Sequence, residues 1–243
     1  MIDYLLKENY FIGGMLPIVK IGQPPEMTFS ELDQLLKMNL SEADYEQALS
    51  IRRYSDFENI RRYLHGDPLD PHGILNEKEI EEALLTREGY PSYLFDFLDK
   101  YTSDEERLRH LSELLSMHYE DEIENASGFI KDYMTFERDW RRVFAILRAK
   151  KRGSDEFLED EEEIPEVYLE LVDIFEKFSD SPMELQRALY EYRFQKIEQM
   201  CGIEIFTLKR ILGTMIQLIL VEKWEKQDQQ KGKEFIDKLI GKA

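Results

Sequence analysis

Apolar residues recur at three- and four-residue steps along most of the chain, while turn-forming residues are gathered into three short stretches. This constrains the fold more than any other feature. A 3.6-residue period lays one apolar face along a helix, whereas a strand needs a period of two. Phe129, Tyr133, Phe136, Trp140, Val143, Phe144 and Leu147 form one continuous stripe. Leu208, Ile211, Leu212, Met215, Leu218 and Ile219 repeat it near the C-terminus. Shorter copies stand at Phe57, Ile60 and Leu64 and at Tyr168, Leu171, Phe175 and Phe178. No period-2 stretch is long enough to read as a strand, and Tyr10-Phe11-Ile12 is the one ambiguous case. The pattern predicts an all-α bundle of roughly eight to ten helices.

The breaks divide the chain. Residues 13–25 (GGMLPIVKIGQPP) and 66–73 (GDPLDPHG) are rich in Gly and Pro and read as irregular. The acidic run 154–163 (SDEFLEDEEE) ends at Ile164-Pro165. Ser41 with Asp44, Asn76 with Glu79, and Ser103 with Glu106 place a capping side chain three residues before an acid, a helix-start signal. The organisation expected is an N-terminal helical unit at 1–66, a second at 67–153 ending in a basic helix, an acidic linker at 154–165, and a C-terminal unit at 166–243.

Composition narrows the function. With 14 Phe, 13 Tyr and 2 Trp in 243 residues, the chain carries enough large apolar groups for a sizeable core. Its 51 Asp+Glu against 32 Lys+Arg leave a charge of -19, which repels nucleic-acid phosphates and anionic lipid heads. Nucleic acid is therefore not an expected partner. Cys201 is the single cysteine, which excludes a disulfide framework, fits a reducing compartment and reads as a small core residue. The start MIDYLLKENYF lacks the basic, apolar and small-residue regions of a signal peptide. Ile211 to Val221 is the most apolar run, but it falls short of the roughly 20 residues that cross a bilayer. It is expected to be a buried core helix.

Catalytic motifs are missing. Gly232-Lys233 and Gly241-Lys242 are followed by Glu234 and Ala243, so neither completes a phosphate-binding loop. The glycines spell no dinucleotide-binding or nucleophile-elbow motif, and no His has a Glu three residues before it as a di-iron helix requires. No catalytic residue, cofactor or metal ligand is assigned, and enzymatic activity is not expected.

Two features stand out instead. Residues 136–153 read FERDWRRVFAILRAKKRG, in which Arg138, Arg141, Arg142, Arg148, Lys150, Lys151 and Arg152 oppose only Glu137 and Asp139. Late basic residues suit a helix C-terminus, and the acidic run that follows could neutralise them. The alternative is a docking surface for an acidic protein partner, with Trp140, Phe144 and Leu147 as apolar anchors. Second, Asn59-Ile60-Arg61-Arg62-Tyr63-Leu64 echoes Asp139-Trp140-Arg141-Arg142-Val143-Phe144, 80 residues later, and Lys209-Arg210-Ile211-Leu212-Gly213 is a weaker third copy. Such an echo suggests one helical unit used two or three times.

Several segments together resemble a known family. Asn9-Tyr10-Phe11 with Leu16-Pro17, Phe29-Ser30-Glu31-Leu32, Leu40-Ser41-Glu42-Ala43-Asp44 and Asp56-Phe57-Glu58-Asn59-Ile60 match, in order, the opening of an uncharacterised bacterial family encoded beside V/A-type ATPase subunits. Ile211, then Leu220-Val221-Glu222-Lys223-Trp224 and Lys231-Gly232-Lys233-Glu234, are similar to its closing helices. That family resembles the central-stalk component of the ATPase, lettered C in archaeal-type enzymes and d in eukaryotic ones. Here Asn59-Ile60 with Leu64 keeps the first half of its repeated helix motif, and Leu147-Arg148-Ala149-Lys150 keeps the basic end.

The resemblance implies an elongated or funnel-like helical bundle of two or three related units. It would be a non-catalytic part of the V/A-type ATPase, linking the rotor shaft to the membrane ring and supporting ion transport. Its place would be the cytoplasmic face of the membrane, held there through protein partners alone. The basic helix 138–152 is then expected to supply one contact face, and Arg61 and Arg62 a second. A free-standing helical adaptor for acidic or amphipathic segments is the alternative.

Overall fold

Thr28, Ser41, Asn76 and Ser103 each accept a hydrogen bond from the backbone N–H three residues on, at 3.3, 3.2, 3.1 and 3.3 Å. At Thr28, Asn76 and Ser103 the glutamate in that third position reaches back to the cap N–H. Two free donors are satisfied reciprocally, and the acid meets the positive end of the helix. Three of these four starts are the ones the cap spacing predicts; Thr28 with Glu31 is additional.

The structure is a computed structural model describing residues 9–153 and 164–239, without the side chains of 228–239. Its helices are α1 (Tyr10–Met15), α2 (Phe29–Asn39), α3 (Glu42–His65), α4 (Glu77–Thr86), α5 (Ser92–Lys100), α6 (Asp104–Arg109), α7 (Leu111–Asn125), α8 (Gly128–Arg152), α9 (Leu169–Phe178), α10 (Pro182–Cys201) and α11 (Leu208–Leu239). The fold is all-α, and no strand occurs among the described residues. The described residues form eleven helices against the expected eight to ten, with 92–125 divided among three of them. Tyr10-Phe11-Ile12 is helical rather than extended: Ile12 is buried, and Gly13 lies against Phe206 with too little room for a Cβ. The acidic run 154–163 lies outside the described residues.

The chain divides into two compact units, Ser41–Arg138 and a discontinuous one of Met1–Leu40 with Asp139–Ala243. In Ser41–Arg138, α7 packs on α3 and α5 around Phe57, Ile60, Leu94, Phe95, Phe97 and Leu114. The α3 C-terminus closes at Gly66, whose φ of 75° lets its N–H reach back to the last carbonyls.

In the discontinuous unit, α11 is the central element, packed on α10, α1 and α2. Every residue from Ile211 to Val221 is buried, so this run is the core helix the sequence predicts. The Phe29 N–H at the start of α2 donates to Glu222 Oε1 of α11 at 2.5 Å. That pairing spans 193 positions, and no turn signal encodes it. Where α10 ends against α11, a Cβ on Gly213 would stand 2.0 Å from Cys201 Sγ. Gly213 thus permits a close helix approach that any larger residue would spoil.

Candidate functional site

The C-terminal end of α8 is where the basic excess becomes a surface. Phe144, Arg148, Lys151 and Arg152 stand at positions i, i+4, i+7 and i+8, so they share one side of the helix. α8 stops at Gly153, whose φ is 66°. Cations in this last turn oppose the negative end of the helix dipole, which favours their clustering here.

Across from them stand Phe175 and Ser179 at the end of α9, then Pro182, Leu185, Gln186 and Leu189 of α10. Together these side chains line a groove of about 800 Å³. Phe144 and Phe175 meet edge to face, with centroids 5.5 Å apart at 83°. The Arg148 guanidinium lies 4.5 Å from the Phe144 ring, a cation–π contact that holds it over the groove wall. Lys151 Nζ pairs with Asp180 at 2.5 Å and holds that exposed carboxyl below the usual carboxylate range. Arg152 Nε donates to the Arg148 carbonyl at 3.4 Å. Among the described residues no acid lies within ion-pair distance of Arg148 or Arg152.

The remaining predicted residues fall elsewhere. Arg141 sits over the Trp140 ring at 4.8 Å, and Arg193 of α10 over the same ring at 5.1 Å. Arg138 and Arg141 are half-buried, Arg142 and Lys150 are exposed, and none of the four lines the groove. Of the three expected apolar anchors only Phe144 lines the groove; Trp140 is occupied by two guanidiniums and, like Leu147, does not line it. The apolar walls come instead from Phe144, Phe175, Leu185 and Leu189. The last two are legible only as a further 3- and 4-residue pattern at Leu185, Leu189 and Tyr192, which sequence reasoning missed.

Arg61 and Arg62 lie on α3, in the Ser41–Arg138 unit. Arg61 Nε pairs with Glu58 at 3.4 Å across one turn. Arg62 Nη1 donates to the Pro68 carbonyl at 3.0 Å, and the Arg62 carbonyl accepts from Asp67 N–H at 2.9 Å. Arg62 therefore closes the α3 C-terminus onto the following loop.

A second polar cluster has no signature in the sequence. Arg52, Asp56 and Asn59 of α3, at i, i+4 and i+7, face the segment 70–75. Arg52 donates to the His72 and Gly73 carbonyls at 3.1 and 2.5 Å. Asp56 Oδ1 accepts from the Ile74 and Leu75 N–H groups at 2.8 and 3.1 Å. Asn59 both donates to the Asp70 carbonyl at 3.0 Å and accepts from Asp70 N–H at 2.7 Å. Asp70 in turn meets His72 Nδ1 at 2.5 Å. A Cβ on Gly73 would stand 2.6 Å from Asn59 Nδ2 and 2.7 Å from Asp56 Oδ1, which explains a glycine there.

Burial pushes the Asp56 carboxyl up to about 6, against the two backbone donors and Arg52, which pull it down. Beside it, Arg53, Phe57, Tyr90 and the backbone near Gly89 enclose a cavity of about 100 Å³. Arg53 is committed to Glu46 and Glu122, the latter at 3.0 Å. The donors and acceptors of this cluster pin a loop to a helix. Among the described residues, no group of three His, Cys, Asp or Glu side chains could hold a metal ion.

Fold and groove define the class: an all-α helical protein of two units, one of which carries a cationic groove with apolar walls. The chain belongs to the family described as protein of unknown function DUF2764, which matches residues 6–243. It is similar to an uncharacterized protein of Chlamydia trachomatis serovar D, 26% identical and covering 96% of this chain and 97% of that one. An uncharacterized protein of Chlamydia pneumoniae is 27% identical over the same shares. No solved structure matches the chain. The family's description and these names carry no activity.

Proposed function

We propose that this chain is a non-catalytic helical docking subunit of a V/A-type ATPase, in the position of the C/d-type central-stalk component. The observation that carries the docking role is the groove, where Arg148, Lys151 and Arg152 stand beside Phe144, Phe175, Leu185 and Leu189. Charge at the rim steers and orients an acidic partner, while apolar surface supplies the affinity. The ATPase assignment rests on the motif resemblance at both ends of the chain.

In this role the protein links rotor shaft to membrane ring, supporting ion transport without chemistry of its own. It works at the cytoplasmic face through protein contacts; no helix of the described residues is long and apolar enough to cross a membrane. Arg142 and Lys150 extend the basic face along α8, and Arg61 offers a second. The echo of 59–64 at 139–144 falls on two long helices, α3 and α8, of 24 and 25 residues. We read it as one helical unit reused.

The test is a pull-down of the tagged chain from its native source, followed by mass spectrometry. Recovery of V/A-type ATPase subunits, lost on Arg142→Glu/Arg148→Glu with helical circular dichroism unchanged, is the expected outcome. A preparation without any ATPase subunit sinks the rotor assignment. The second reading, a free-standing adaptor for acidic or amphipathic segments, is favoured by one observation: all groove residues lie within a single unit and need no rotor around them.

A further inference from the structure

We infer that the groove between α8, α9 and α10 takes a single amphipathic helix of about two turns with acidic flanks. This rests on the docking role proposed above and specifies its ligand. Size is the first argument. A helix about 10 Å across, rising 5.4 Å per turn, occupies roughly 420 Å³ per turn. A groove of about 800 Å³ therefore holds about two turns, seven or eight residues.

Shape is the second argument. Phe144, Arg148 and Arg152 form one row at four-residue spacing on α8, and Leu185 and Leu189 form another on α10. Such i, i+4 rows are ridges, and the ridges of a further helix can pack into the space between them. An extended peptide would need a sheet edge to satisfy its backbone N–H and C=O groups, and no strand exists among the described residues.

Charge is the third. Arg148 and Arg152 lack an acidic partner among the described residues, although acids outnumber bases 51 to 32 in this chain. Lys151 is already engaged by Asp180, so among the described residues Arg148 and Arg152 are the groove cations without an acidic partner. Phe144, Phe175 and Leu185 each show only an edge to solvent and Leu189 is half-buried, so the apolar contact is shallow. Weak binding follows. The occupant's pattern is Leu or Phe at i, i+3, i+4 and i+7 for the walls, with Asp or Glu one position aside to meet the two arginines.

The probe is a fluorescein-labelled 16-residue helical peptide with that Leu/Phe spacing, Glu one position aside from the apolar face, and Ala or Gln at the other positions. Fluorescence anisotropy against the full chain should saturate. The Arg148→Glu/Arg152→Glu variant should bind at least tenfold more weakly while keeping its helical circular dichroism. Leu189→Ala, which leaves the charges in place, should weaken binding several-fold. Equal binding of a shuffled peptide with the same composition would overturn the helical occupant. Indifference to the double charge reversal would overturn the site. Preference for phosphatidylserine–phosphatidylcholine vesicles over the peptide would make the face a lipid contact and refute the proposal. Failure of the unsubstituted chain to bind the peptide, with ATPase subunits still recovered, defeats this inference alone; peptide binding without ATPase recovery defeats the rotor assignment alone.

Discussion

The interiors of the two units are made of different chemistry. Ser41–Arg138 buries Arg52, Asp56, Asn59, Asp70, His72, His118 and Glu122 beside its apolar core. The unit of Met1–Leu40 with Asp139–Ala243 buries only Thr214 and Gln217 among polar side chains of its described residues, both within the unbroken buried run from Ile211 to Val221. The difference follows from what each has to hold in place. In the first, the connection 66–76 has no helical hydrogen bonds of its own, so its peptide groups must find partners on α3. In the second, helix packs directly on helix, and backbone groups are satisfied inside each helix before packing begins. One interior is fixed by hydrogen-bond geometry; the other by shape.

Three changes would break or sharpen this contrast. The largest effect is expected from Arg52→Ala, which strips the His72 and Gly73 carbonyls of their donor and removes one of the two arginines that favour the ionised Asp56. It should destabilise by about 3–4 kcal/mol, measured by urea denaturation. Native-state hydrogen exchange should show protection lost first in residues 70–76. A loss below ~1 kcal/mol would mean the polar cluster is ornamental.

Next comes Gly213→Ala, whose new methyl meets Cys201 Sγ at 2.0 Å. Overpacking of this kind should cost about 2–3 kcal/mol. Because the obstruction is one sulfur atom, Cys201→Ala/Gly213→Ala should recover most of that loss. Absence of rescue would show that the close approach of α10 and α11 is set by something other than this contact.

The smallest effect separates the units by pH. The folded-state value of Asp56 is raised, so its ionisation opposes folding; the penalty is full above about 6 and disappears towards 3.8. Acidifying from pH 7.5 to 5.5 should therefore stabilise the chain by roughly 1 kcal/mol through this group. Glu122, raised by burial, acts in the same direction. Carboxyls held low by partners, such as Glu198 beside Arg210, act in the opposite direction but only below about their ordinary value of 4.5. The interval also stays clear of the isoelectric point near 4.7, where solubility would interfere. Asp56→Asn should flatten the dependence, and an unchanged slope would show that this carboxyl is not the source.

The fold class is legible because helical period is a local property, and Phe129 to Leu147 or Leu208 to Ile219 carry it without help from distant residues. Three of the caps are legible for the same reason. Tyr10-Phe11-Ile12 is undecided in the sequence because three apolar residues are too few to distinguish periods of two and 3.6. One wall of the groove is legible, since Arg148, Lys151 and Arg152 form a visible charge excess. The facing wall is not: Phe175, Leu185 and Leu189 look like ordinary core residues until the packing of α9 and α10 sets them opposite α8. The polar cluster is hidden differently. Asn59 shows in the sequence only as part of a repeat, whereas its bond to Asp70 joins residues 11 apart through an irregular loop, and no spacing rule encodes that.

Cys201 is the chain's only thiol, wholly buried at the α10–α11 crossing, and burial pushes it up to about 11. A thiol reagent near neutral pH finds almost no thiolate and no path to the sulfur while the two helices stay together. Alkylation therefore proceeds only as fast as that crossing opens, and each molecule can be modified once. The natural sequence thus carries its own stopwatch for the separation of two helices, readable by mass without adding a label.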